Sequence, residues 1–167
     1  MRAEVARFDA AVDRLVDRVR GPGVDAVVYR LSSAADHSLL WQFCGAATAL
    51  AHGGDVRRAA RFAVAMGAES LVTNGVLKTV FGRVRPVEYS DIEWHYGMHR
   101  PITSSFPSGH ATAAFCAATL LGGGPWYALA GTVATTRVYV RLHHASDVAA
   151  GAAIGLALGL ALRRFVR

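Results

Sequence analysis

Apolar residues fall along this chain in blocks, and charges collect at the block edges. Residues 3–20 place Val5, Phe8, Val12, Leu15, Val16 and Val19 at helical spacing with charges between them, which predicts an amphipathic helix ended by Gly21-Pro22-Gly23. Such a helix either lies in the headgroup plane or packs on the rim of a bundle. Residues 24–35 read as a second short helix. Asp36 precedes Ser38-Leu39-Leu40-Trp41, a helix start, and the run 38–53 is the first spanning candidate, closed by His52-Gly53-Gly54-Asp55. A second span, roughly 58–80, opens on Arg57, Arg58 and Arg61. Residues 82–105 form a polar loop with Tyr89, Trp94, His95, Tyr96 and His99, whose aromatic rings suit an interfacial lid or an aromatic belt. Then follow 108–123, a break at Gly122-Gly123-Gly124-Pro125, and the runs 126–141 and 147–162.

This pattern predicts an all-α transmembrane helical bundle of about five spans. The domain reading is an N-terminal amphipathic or interfacial helical region, 1–35, and a membrane-embedded domain, 36–167. Several blocks reach only about 16 residues where a span needs about 20. The shortfall eases if polar ends such as Thr136 and Arg137 are buried in the bundle. Glu69 and Asn74 lie inside the second span, and a carboxylate at that depth must face a partner. Asn74 stands one turn before Lys78. In the last run Gly151, Gly155 and Gly159 make a smooth stripe that lets two helices approach closely, within one chain or between two.

Composition supports the membrane reading. Of 167 residues, 53% are hydrophobic and 18% charged, against about 25% charged in soluble domains. The mean hydropathy is +0.28. The net charge of +6 lies between apolar blocks rather than in a basic tail, which favours a membrane over nucleic acid as partner. Cys44 and Cys116 have no metal or disulfide spacing and read as buried small hydrophobes. No apolar h-region opens the chain, so no cleavable signal peptide is expected. Arg57, Arg58 and Arg61 on one side, and Arg163, Arg164 and Arg167 at the end, place the first hairpin and the chain end in the cytoplasm. The polar clusters then face the extracytoplasmic side of a plasma membrane.

Those clusters carry the chemistry. They are Lys78-x6-Arg85-Pro86, Pro107-Ser108-Gly109-His110 and Thr136-Arg137-x5-His143-x3-Asp147. Lys78, Arg85 and Arg137 supply three fixed cations for a phosphate and its transition-state charge. Pro107 to His110 open an apolar run, where a helix N-terminus binds phosphate, so Ser108 and Gly109 should supply hydroxyl and backbone N–H contacts, glycine permitting close approach. His110 is placed to protonate a leaving oxygen. His143 and Asp147, four apart, share a helix face; the carboxylate would take the Nδ1 proton and leave Nε2 to attack. His144 points elsewhere and receives no catalytic role.

The three clusters together resemble the type 2 phosphatidic acid phosphatase superfamily, whose pattern is Lys-x6-Arg-Pro, Pro-Ser-Gly-His and Ser-Arg-x5-His-x3-Asp. The first two match without change; in the third, Thr136 replaces serine and keeps the hydroxyl. The motifs cover residues 74–151. The resemblance implies His143 as nucleophile assisted by Asp147, His110 as general acid, and Lys78, Arg85, Ser108, Gly109 and Arg137 as phosphate ligands. It implies no metal and no cofactor. The expected activity is hydrolysis of a lipid phosphomonoester or diphosphate through a phosphohistidine, with a polyprenyl-linked phosphate of the cell envelope first among substrates. Phosphatidylglycerol phosphate and phosphatidic acid are alternatives. A vanadate-dependent haloperoxidase-like enzyme and a non-enzymatic transporter or scaffold are rival classes, which the apolar spans and the intact motifs respectively disfavour. The oligomeric state is left open.

Overall fold

The computed structural model describes residues 2–35, 38–86 and 102–167. Among these, every regular element is helical. The N-terminal pair is α1 (Arg2–Val19) and α2 (Pro22–Ala34), the latter opening on a proline whose missing N–H costs nothing in a first turn. Then come α3 (Leu39–Ala51) and α4 (Val56–Ser70). Asp55 caps α4 by accepting the Arg58 N–H at 2.9 Å.

Beyond Ser70 the rod does not stay α-helical as the spacing predicts. It widens into a π-helical stretch, Leu71–Leu77, before the short turn α5 (Lys78–Val80). Such widenings re-aim side chains and recur at functional sites. Here Asn74 and Lys78 both reach toward Gly109: a Cβ built there lies 3.0 Å from Asn74 Oδ1 and 3.5 Å from Lys78 Nζ. The chain is extended from Phe81. The remaining helices are α6 (Gly109–Leu120), α7 (Pro125–Tyr139) and α8 (Ala145–Val166). The expected loop aromatics Tyr89, Trp94 and Tyr96, with His95, His99 and the helix-start residue Asp36, lie outside the described residues.

The centre of the bundle is α6 against α8. Gly151, Gly155 and Gly159 all face α6, so the stripe is spent within the chain. A Cβ at Gly155 would sit 2.2 Å from the Thr112 carbonyl oxygen, and one at Gly151 would sit 2.6 Å from that of Ser108. The matching face of α6 is small: Ala111, Ala114, Cys116, Ala117 and Ala118 are buried. Around this pair, Trp41 of α3, Phe62, Ala65 and Met66 of α4 and Val133 of α7 complete the main core. A second cluster joins Val16 of α1 and Tyr29 of α2 to Val138, Tyr139, Val140 and Leu142. Cys44 and Cys116 are buried and unpaired, as expected.

Large apolar side chains also point outward. Leu39, Phe43 and Leu50 are exposed on one face of α3, and Val64 and Leu71 are exposed along the next rod. An outward apolar face of this kind marks contact with something other than water. Among the described residues α8 alone is both long and apolar enough to cross a membrane; α3 is apolar but shorter, at 13 residues. In α1 the orientation is unexpected: Val5, Phe8, Leu15 and Val19 are exposed, whereas Asp9 is buried against the bundle.

Because the neighbours of Gly155 are backbone atoms, Gly155→Ala must push α8 off α6. Overpacking of this kind costs about 1–3 kcal/mol or more. Gly131, in α7, has nothing within 4 Å of a built Cβ, so Gly131→Ala should be neutral or mildly stabilising. Thermal unfolding in detergent measures both; equal midpoints for the two variants would contradict this packing.

Candidate active site

Four helix ends meet at one end of the bundle. They are the last turn of the α4–α5 rod, the start of α6, the end of α7 and the turn into α8. They enclose a cavity of about 120 Å³ lined by Lys78, Arg85, Gly109, His110, Arg137 and His143, with Glu69, Asn74 and Trp41 on its walls. That is well above the roughly 10–15 Å³ that admits one water. All three predicted cations, both predicted histidines and Gly109 therefore share one chamber.

Both arginines donate to carbonyl or hydroxyl oxygens. Arg85 donates from Nη1 to the Leu142 carbonyl at 2.6 Å and from Nη2 to the carbonyls of Thr103 and Ser104 at 3.2 and 3.3 Å. Its Nη1 also stands 3.4 Å from His143 Nε2. Arg137 is buried and donates from Nη1 to the hydroxyl and carbonyl oxygens of Ser32, at 2.6 and 3.1 Å. Glu69, the carboxylate expected to face a partner, is buried on the chamber wall and accepts from Thr73 Oγ1 at 3.0 Å.

The start of α6 differs from expectation by one step. Ser108 is the N-cap rather than a helical residue, and its hydroxyl accepts the Ala111 N–H at 3.5 Å. Its own N–H donates to the Asp147 carbonyl at 3.1 Å. Ser108 is fully buried and does not line the chamber. Its backbone N–H is thus committed inside the protein, and it is the next residues, Gly109 and His110, that face the cavity. Glycine there leaves room for Asn74, whose side chain would have to give way to a Cβ. Thr136 is also buried, and its hydroxyl donates to the Val133 carbonyl at 2.7 Å. It is spent on its own helix, as a serine hydroxyl could equally be.

His143 and Asp147 do not lie on one helical turn. Arg141 has φ 58° and ends the helical path, and α8 begins only at Ala145. His143 Nδ1 is 2.6 Å from the Ser105 carbonyl and 3.9 Å from Asp147 Oδ2. Ser105, not Asp147, therefore takes the Nδ1 proton, and this still leaves Nε2 toward the chamber. Asp147 Oδ2 accepts the His144 N–H at 2.9 Å, capping α8. Its Oδ1 receives Arg83 Nη1 at 2.6 Å. The carboxylate stands behind the imidazole as a fixed negative charge.

Sequence reasoning missed Arg83, Ser105, Ser32 and Asp9. Arg83 was open to detection: in an extended segment, residues two apart share a side, so Arg83 belongs with Arg85. Ser105 acts through its carbonyl, and Ser32 and Asp9 meet their partners across more than 100 residues of chain; no local pattern marks them. Among the described residues no group of three or more His, Cys, Asp or Glu could hold a metal ion.

The chamber gathers three basic side chains around an imidazole at a helix start, a combination whose charge suits a phosphate ester. The chain belongs to the PAP2 superfamily, whose model matches residues 58–167, and it is a phosphatase of the membrane lipid-phosphatase type. It is 33% identical over 157 residues to the decaprenylphosphoryl-5-phosphoribose phosphatase of Mycobacterium tuberculosis, covering 90% of this chain and 83% of that one. The protein of the same name from Mycolicibacterium smegmatis is 36% identical over 137 residues, covering 78% and 72%. Two solved structures share the fold. A transmembrane PAP2-type phosphatidylglycerolphosphate phosphatase from Bacillus subtilis superposes with a TM-score of 0.73 at 23% identity, covering 97% of this chain and 86% of that one. LpxE from Aquifex aeolicus superposes at 0.71 and 22%, covering 93% and 94%.

The state of His143 sets a pH expectation. Burial, then the cations Arg85 and Arg137, push its imidazole well below the ordinary value of 6.5; the Ser105 carbonyl opposes them and Lys78 adds to them. A depressed value keeps Nε2 unprotonated through mild acid. The break in kcat/KM belonging to His143 should therefore lie well below pH 6.5, and a break at or above 6.5 would contradict the site. Stability runs the other way: the unfolded chain binds a proton near pH 6.5 that the folded one refuses, so this group weakens the fold as pH falls through that value.

Proposed function

We propose that this protein hydrolyses a polyprenyl-linked phosphate at the membrane surface through a phosphohistidine on His143. The observation that carries the reading is the convergence of Lys78, Arg85, Arg137, His110 and His143 on one chamber. Nε2 of His143 attacks phosphorus, and the bond to the leaving oxygen breaks as His110 gives it a proton. Water, deprotonated by His110, then attacks the phosphohistidine and releases inorganic phosphate, restoring His143. Lys78, Arg85 and Arg137 hold the phosphoryl oxygens and offset the charge that builds in each transition state. N–H groups at the start of α6 add to this, and Ser108 contributes as the cap that sets that start. Asp147 favours the imidazolium that forms when Nε2 bonds to phosphorus.

The lipid is suggested by the mycobacterial relatives, whose names specify a decaprenylphosphoryl-5-phosphoribose. Glu69 and Asn74 on the chamber wall are suited to sugar hydroxyls beside the phosphate. Phosphatidylglycerol phosphate and phosphatidic acid are the competing substrates. Phosphate release should be measured in detergent from decaprenylphosphoryl-5-phosphoribose, polyprenyl diphosphate, phosphatidylglycerol phosphate and phosphatidic acid. We expect the polyprenyl-linked substrates to turn over fastest and His143→Ala to abolish release. No release from any of them, or full activity in His143→Ala, would remove the reading; a preference for a glycerolipid would reassign the substrate.

The same reading makes α3, the α4–α5 rod, α6, α7 and α8 five crossings of the plasma membrane. Their exposed apolar faces support this, notably Leu39, Phe43 and Leu50. The arginines at the start of α4 and the end of α8 then lie in the cytoplasm, with the chamber outside. The exposed apolar residues of α1, Val5, Phe8, Leu15 and Val19, suit the headgroup layer on the chamber side. Ile102 precedes Thr103, whose carbonyl accepts from Arg85, and is fully exposed. A cysteine at that position should react with a membrane-impermeant maleimide on intact cells, and labelling only from the cytoplasmic side would reverse the orientation.

A further inference from the structure

The first helix reaches the catalytic carboxylate. Asp9 sits in the middle of α1 and is 4% exposed. Its Oδ1 accepts the backbone N–H of Ser146 at 2.8 Å, in the first turn of α8. Its Oδ2 accepts the Ser146 hydroxyl at 2.8 Å and Arg83 Nη2 at 2.7 Å. The other arm of the same guanidinium, Nη1, donates to the Ser146 hydroxyl oxygen at 2.7 Å and to Asp147 Oδ1 at 2.6 Å. The donors and acceptors balance: Ser146 gives its one hydroxyl proton to Asp9 and receives one from Arg83.

We propose that Asp9 is a positioning residue of the active site, fixing Arg83 and the first turn of α8 so that Asp147 is aligned and charged behind His143. The inference rests on the phosphohistidine reading of that site. It also places a working part of the enzyme outside residues 58–167, the segment that carries the family match.

Two physical arguments support it. Geometrically, Asp147 has one oxygen tied to its own helix cap and the other to Arg83, so the orientation of Arg83 decides that of the carboxylate. Arg83 is itself 30% exposed at its side chain and needs a second anchor, which Asp9 supplies from the buried side. Electrostatically, Asp9, Arg83 and Asp147 together carry one net negative charge. Without Asp9 the guanidinium would cancel Asp147, and the positive charge that develops on His143 as Nε2 bonds to phosphorus would lose its counter-charge. Burial alone would favour a neutral Asp9, but the hydrogen bonds from Ser146 and the contact with Arg83 outweigh it and hold the carboxyl below its ordinary value of 3.8.

An anchor that merely tethers α1 would behave differently, and the chain contains one. Asp13 and Asp17 on the same helix pair with Arg141 at 2.8 and 2.7 Å, away from the chamber. The test uses the full chain in detergent micelles and the fastest substrate of the panel above. Asp9→Asn keeps the shape and removes the charge; kcat should fall at least tenfold with KM changed by less than threefold. Asp13→Asn, which loosens the same helix, should retain the wild-type kcat. Ser146→Ala removes only the bridging hydroxyl and should lower kcat severalfold, again with little change in KM. A wild-type kcat in Asp9→Asn, or equal losses in Asp9→Asn and Asp13→Asn, would overturn the proposal. Should Asp9→Asn not fold, a wild-type kcat in Ser146→Ala would overturn it instead. Failure of the wild-type protein to release phosphate is a different result, and sinks the phosphatase reading rather than this one.

Discussion

The approach of α8 to α6 is the constraint on which the rest of the structure depends. Three glycines in a helix sacrifice roughly 1 kcal/mol each relative to alanine, and the return is backbone laid on backbone. At Gly155 no atom beyond hydrogen fits between the helices. The two helices therefore cannot slide, and their N-terminal ends are locked at one level, where the Ser108 N–H meets the Asp147 carbonyl. The chamber-facing start of α6 and the turn that carries His143 become one rigid piece. A larger residue at Gly151 would strike the Ser108 carbonyl first, so the stripe reaches directly into the geometry of the site.

That rigid piece explains which parts were legible in the sequence. Glycine spacing announces a close helix contact, and three clusters at apolar boundaries announce a site, because both are local patterns. The partner of the glycine stripe was not legible, since α6 carries only an undistinguished run of small residues. His143 and Asp147 looked like neighbours on a helix because they are four positions apart, yet the left-handed Arg141 breaks the path and the Ser105 carbonyl accepts the imidazole N–H. The π-helical stretch before Lys78 has no sequence signature at all here. In α1 the apolar periodicity was read correctly as a helix, but it gave no hint that Asp9 would be buried against Ser146 and Arg83.

The same distinction governs the arginines, and it is a matter of what anchors them. Arg83 and Arg85 are two residues apart; Arg85 reaches the turn that precedes α8, and Arg83 the first turn of α8 itself. Arg83 ends on two carboxylates, so its charge is consumed inside the protein. Arg85 donates to carbonyl oxygens, and Arg137 to the oxygens of Ser32. Carbonyl and hydroxyl acceptors orient a guanidinium without neutralising it. These oxygens fix where the Arg85 and Arg137 guanidinium groups stand at the chamber wall. Holding such cations together in a secluded pocket is unfavourable when the pocket is empty of anions. On the proposed mechanism a phosphate dianion would relieve that repulsion on arrival, and the further negative charge of the transition state would relieve more of it. Packing that forbids the helices to yield, from the glycine stripe at one side to Asp9 at the other, keeps the repulsion from being relieved by movement instead.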